Sequence, residues 1–169
     1  MNYLSILSNH LKKNRDRSKS FHVLKAAMSG AALVATADGI ACARESRRTK
    51  ELIKSLDALA LYDPGLGLRI YMDTVNALNK NQKKGTASAL EAVLDVKDEP
   101  ENAAMVVMMC QAVSEADGHI DGAEKASIDR ITKELGISGD DVRRFAHEND
   151  ARPTSIEGVE SLRFQSCGG

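Results

Sequence analysis

Asp38 and Glu45 lie in an A-D-G-x5-E pattern beginning at Ala37-Asp38-Gly39, and the pattern returns at Ala116-Asp117-Gly118 with Glu124. The step from Asp38 to Asp117, and from Glu45 to Glu124, is 79 residues in both cases. The same step lays Val34 over Val113, Lys54 over Lys133 and Leu56 over Leu135, with Leu52 over Ile131. The chain therefore carries an internal repeat whose fixed points are acids. Carboxylates on paired turns are suited to hard divalent cations, which take oxygen ligands. If the two halves pack about an approximate two-fold axis, the turns come to one end of the molecule and four carboxylates could meet there.

Backbone chemistry competes with that expectation in the second copy. Gly118 is placed to end one helix in a left-handed conformation, Asp121 to cap the next, and Glu124 to close a capping box at its third position. In the first copy Cys42 stands where Asp121 stands in the second, and a thiol caps poorly. Capping does not account for Asp38 and Asp117, because each falls near the C-terminal end of a helix, where the macrodipole disfavours negative charge by ~0.3–1 kcal/mol. Glu115 adds a further acid to the second of those ends. A bound cation would reverse the sign, so the candidate ligands are Asp38, Glu45, Asp117, Asp121 and Glu124.

The segment from Asp117 to Glu124 overlays the second half of an EF-hand loop, with its Asp, Gly, Ile and final Glu in register. Val113 then occupies the first ligand position and Glu115 the third, which excludes a complete EF-hand. An all-oxygen site points to Ca2+, Mg2+ or Mn2+, whereas a contribution from His119 or Cys42 would tilt it toward Zn2+. His10, His22 and His147 have no paired spacing with one another and lie away from the acids in sequence. No G-x-S-x-G, Walker loop or H-E-x-x-H occurs, so the expectation is a protein that is not an enzyme.

The elements that must position these acids are helical. The chain has 169 residues, 43% of them hydrophobic, mostly Ala, Leu, Val, Ile and Met, with three Phe, three Tyr and no Trp. That mix favours helices over sheets and suffices for one core. Leu4, Leu7 and Leu11 share one stripe of a first helix that docks loosely, followed by a basic stretch to Ser20. Phe21, Leu24, Met28, Ala31 and Val34 mark a central helix to about Thr36. A polar-faced helix from about Ala43 to Leu61 ends at Asp63-Pro64-Gly65, and helices near 66–79 and 84–95 separate the repeats. Asp98-Glu99-Pro100-Glu101 starts another helix. Ile128, Ile131 and Leu135 define the next, stopped by Gly136, and Ser138 caps a short one bearing Val142 and Phe145. The fold expected is a single all-α bundle of about seven to eight helices built from two pseudo-repeated helix-ADG-helix halves. Its divisions are an N-terminal helix and linker over 1–20, a helical domain over 21–148 and a polar tail over 149–169.

A net charge of −1 gives no field to attract nucleic acid. The longest apolar-leaning runs fall short of the ~20 residues of a membrane span. The start of the chain, with its lysines after the apolar residues, does not read as a secretory signal, so the expected location is the cytosol. Cys42, Cys110 and Cys167 have no C-x-x-C spacing and are expected as free thiols.

With its two D-G-x5-E motifs on paired helices, Asp38, Gly39 and Glu45, then Asp117, Gly118, Asp121 and Glu124, the chain resembles the tellurite-resistance TerB family over about Phe21 to Phe145. That domain also occurs at the N-terminus of DjlA-type membrane co-chaperones. The resemblance implies a non-enzymatic domain whose acids bind divalent metal. It also implies work with membrane-embedded TerC-type partners in tellurite and stress resistance, at the inner face of the membrane. The alternative is a plain protein-interaction or co-chaperone accessory domain, its acids serving as caps or as a docking patch. Cys42 departs from the pattern and weakens the first site.

Overall fold

The computed structural model describes residues 6–7, 9–10, 17–39, 43–57, 65–116, 118 and 120–150, with backbone alone for 17–20, 43–46 and 56–57. Asp117, His119, Cys42, Cys167 and the tail from 151 lie outside the described residues, as do the side chain of Glu45 and the stretch 58–64. Seven helices are described: α1 (Arg17–Ala35), α2 (Ala43–Asp57), α3 (Leu66–Lys80), α4 (Gln82–Leu94), α5 (Pro100–Glu115), α6 (Gly122–Leu135) and α7 (Gly139–Asn149).

Local signals set most of the boundaries. Pro100 opens α5, where a missing N–H costs nothing. Gly136, at φ 70°, closes α6, and Ser138 caps α7 through a box with Asp141. Asn81 ends α3 and caps α4 at once, its side chain accepting from the Lys84 N–H. That one-residue corner needs Gly85, since a Cβ there would sit 2.7 Å from Leu78 Cα and 2.9 Å from Ala77 C.

α5 is buried almost all round, from Ala103 to Cys110 and again from Ala112 to Ser114. α1 is nearly as enclosed, and it packs against α3, α4, α5 and α6. The two central helices run parallel. At their starts, His22 Nε2 lies 3.1–3.2 Å from the Glu99 carboxylate. Further along, Gly30 abuts α5 so closely that a Cβ would stand 2.9 Å from Cys110 Sγ and 3.3 Å from Val106 Cγ1.

A polar chain locks this end of the pair. The Asn102 amide donates to the same Glu99 carboxylate, and His10 Nε2 lies 2.6 Å from Asn102 Oδ1. The His10 ring, buried, meets Phe145 of α7 edge-on at 5.1 Å. The N-terminal segment is thus docked firmly where it is described, with Ile6 and Leu7 in the core. A stripe of leucines alone does not reveal the polar anchor that His10 supplies.

The halves are not packed alike beyond their first helices. α6 lies on α1, α4 and α5 through Ile128, Ile131 and Leu135, whereas α2 finds its principal contact on α3. There Ile53 is fully buried, and the buried Thr49 side chain hydrogen-bonds Tyr71. The α3–α4 pair inserted between the repeats gives α2 a surface for which the second half has no counterpart.

Candidate functional site at the A-D-G turns

The described residues of both A-D-G segments make the same backbone hydrogen bonds. In the first, Ala37 N donates to Val34 O at 3.1 Å and Gly39 N to Thr36 O at 3.0 Å. In the second, Ala116 N donates to Val113 O at 3.2 Å and Gly118 N to Glu115 O at 3.0 Å. Every donor and acceptor has moved by the repeat step. Gly39 and Gly118 have φ of 76° and 81°, the left-handed region in which a side chain is strained, so each motif requires its glycine.

The parallel pairing of α1 and α5 puts these turns at one end of the molecule. From the Gly30–Cys110 contact to the last residues, Ala35 and Glu115, each helix advances about 8 Å at ~1.5 Å per residue. Neither helix has a basic residue in its last turn, while Glu115 is in the last turn of α5 and Asp38 follows the end of α1. Asp38 thus follows, and Glu115 occupies, a helix end where the dipole is already negative, with no cation from the last turn of the same helix to offset it.

In the second copy the backbone uses part of the acidic set. Glu124 N donates to Asp121 Oδ1 at 2.8 Å and Asp121 N donates to Glu124 Oε2 at 3.1 Å, the capping box expected from the spacing. One oxygen of each carboxylate is occupied in this way. Asp38 is exposed, and Glu45 stands in the first turn of α2. Among the described residues no group of three or more His, Cys, Asp or Glu is arranged to hold a metal ion. Asp121 and Glu124 are therefore brought together, and Asp38 does not join them in such a group.

Residues 24–147 match the family model of the tellurite resistance protein TerB. The chain belongs to the TerB family. No match was found among curated proteins or among solved structures. No described helix of this TerB chain is long and apolar enough to cross a membrane.

Sequence reasoning missed three features near this end. Ser114 Oγ, fully buried near the end of α5, has no hydrogen-bond partner among the described residues. Cys110, buried, has its thiol pushed up to about 12 by desolvation, which makes it inert as a nucleophile or ligand. A cleft of about 440 Å³ opens beside the first turn, lined by Thr36, Ala37 and Gly39 together with residues of α3, α4 and α6. Cys110 is the free thiol that the sequence suggests, though not its burial, Ser114 shows there only as a hydroxyl within an apolar run, and the cleft leaves no trace.

Proposed function

We propose that this TerB-family chain is a non-catalytic domain that holds a divalent cation at its A-D-G turns and works through protein partners in tellurite and stress resistance. The repeat of the turn's hydrogen bonds at a 79-residue step, at corresponding ends of two parallel helices that each lead into an acid, carries the proposal. Asp117 and the carboxylates of Asp121 and Glu124 are the donors for the stronger site. Asp38 and Glu45 supply the weaker one. Their all-oxygen chemistry fits Ca2+, Mg2+ or Mn2+ better than Zn2+. A membrane-embedded TerC-type protein is the partner that the family suggests, with the domain at the inner face of the membrane.

The capping box supports a second account, in which Asp121 and Glu124 serve the backbone alone and the remaining acids form a docking patch for basic segments of a partner. Thermal melting separates the two. A cation bound only by the folded state stabilises by RT ln(1 + [L]/Kd), ~2.7 kcal/mol at a hundredfold excess over Kd. The cation account predicts a concentration-dependent rise in Tm with at least one of Ca2+, Mg2+, Mn2+ and Zn2+, reversed by chelator. An unchanged Tm with all four leaves the docking patch.

A further inference from the structure

The cleft beside the first turn has an apolar part and an unused polar rim. Leu33 and Leu78, both buried, and Ala123 and Ala126 of α6 belong to the apolar part of its lining. Around them stand Asn79, Gln82, Thr86, Ser127 and Arg130. None of these five side chains has a hydrogen-bond or ion-pair partner among the described residues. The contrast with neighbouring hydroxyls is informative: Thr36, Thr74 and Thr132 each donate to the carbonyl four residues earlier, whereas Thr86 and Ser127 do not.

The rim's charge is of one sign. Among the described residues Arg130 is the single cation lining the cleft and no Asp or Glu side chain lines it, although Asp38 adjoins it between Ala37 and Gly39. A guanidinium with hydroxyls and carboxamides beside it offers convergent donors to an oxyanion. At about 440 Å³ the cleft is also of the size that holds small organic ligands, roughly 300–1,000 Å³.

We propose that this cleft binds a small amphiphilic organic anion, its apolar body on Leu33 and Leu78 and its carboxylate, sulfonate or phosphate head held by Arg130, Ser127 and Thr86. The cleft adjoins the first A-D-G turn but needs no cation, so the test is run in chelator, where loss of a metal cannot affect it.

The probe is 8-anilinonaphthalene-1-sulfonate, titrated into the full folded chain and followed by fluorescence, with neutral N-phenyl-1-naphthylamine as its uncharged counterpart. Saturable one-to-one binding of the sulfonate is expected, at least roughly tenfold tighter than the neutral dye. Arg130→Gln should cost the sulfonate roughly tenfold or more, the share of a charged hydrogen bond. It should leave the neutral dye unchanged. Ala126→Leu should abolish binding of both dyes by filling the cleft, and Ala123→Leu, likewise at an exposed position of the lining, serves if that variant does not fold. Arg143→Gln, on α7, is the unchanged control. Octanoate should displace the sulfonate and inorganic phosphate should not. No binding by the wild type, equal affinity for both dyes with Arg130→Gln unaffected, binding that survives the filled cleft, or displacement by phosphate alone would each overturn the proposal.

Discussion

Ser114 seals a hydroxyl into the core without a partner among the described residues, and that costs the folded state the desolvation of a polar group, ~1–3 kcal/mol. Ser114→Ala removes the group at almost the same volume, so the urea midpoint is expected to rise by the equivalent of ~1 kcal/mol. A fall would show that the hydroxyl is satisfied in solution. At Asp121 the expectation is the reverse, because its side chain caps α6 and the Glu124 carboxylate answers it. Asp121→Ala should cost ~1 kcal/mol in chemical denaturation even in chelator. A variant as stable as the wild type would remove capping from the account. This box was legible in the sequence because both partners lie within one turn of helix. The His10–Asn102–Glu99–His22 chain was not, since its partners lie 77 and 92 residues apart and only the fold brings them together.

Between elements, two glycines set how closely helices approach. Gly85 lies against the backbone of Leu78, which cannot move aside, so Gly85→Ala should destabilise by ~1–3 kcal/mol despite the better helix propensity of alanine. Gly30 meets the end of a side chain instead, Cys110 Sγ at 2.9 Å from a Cβ. Gly30→Ala should therefore cost clearly less in a Cys110→Ala background than in the wild type, read by urea denaturation as a double-mutant cycle. Equal costs in the two backgrounds would mean that α1 and α5 do not cross where Gly30 and Cys110 meet. Helix spans could be read from apolar spacing, caps and Gly or Pro stops, which are local. The close approaches could not, because a glycine inside a helical pattern looks the same whether it faces solvent or a neighbouring backbone.

For the molecule as a whole, Cys110 and Tyr71 tie stability to alkaline pH. Burial pushes both up to about 12, for Tyr71 against a lowering hydrogen bond from Thr49. The folded protein thus holds these protons more tightly than the unfolded chain, in which they titrate near 9.0 and 10.0. Their contribution is complete below pH 9 and is lost as pH rises from there through about 12, at ~1.4 kcal/mol per unit for each group. Urea midpoints should be insensitive to these groups below pH 9 and fall above it, and Cys110→Ala should remove the part of the fall that sets in before pH 10. Whole-molecule symmetry was only half legible. The repeat identified the two turns, and the parallel α1–α5 pair places them at one end, but the inserted α3–α4 pair gives α2 a partner that no spacing of acids reveals. The central claim, that these turns hold a cation, is tested most directly by isothermal titration calorimetry of wild type, Asp117→Asn and Asp38→Asn with the divalent ion that raises Tm most. Asparagine keeps the size and turn-forming ability of aspartate while removing its charge. Since the second turn has Asp117, Asp121 and Glu124 against Asp38 and Glu45 in the first, the account predicts saturable binding that Asp117→Asn weakens more than Asp38→Asn. Equal affinity for both variants and the wild type would contradict it.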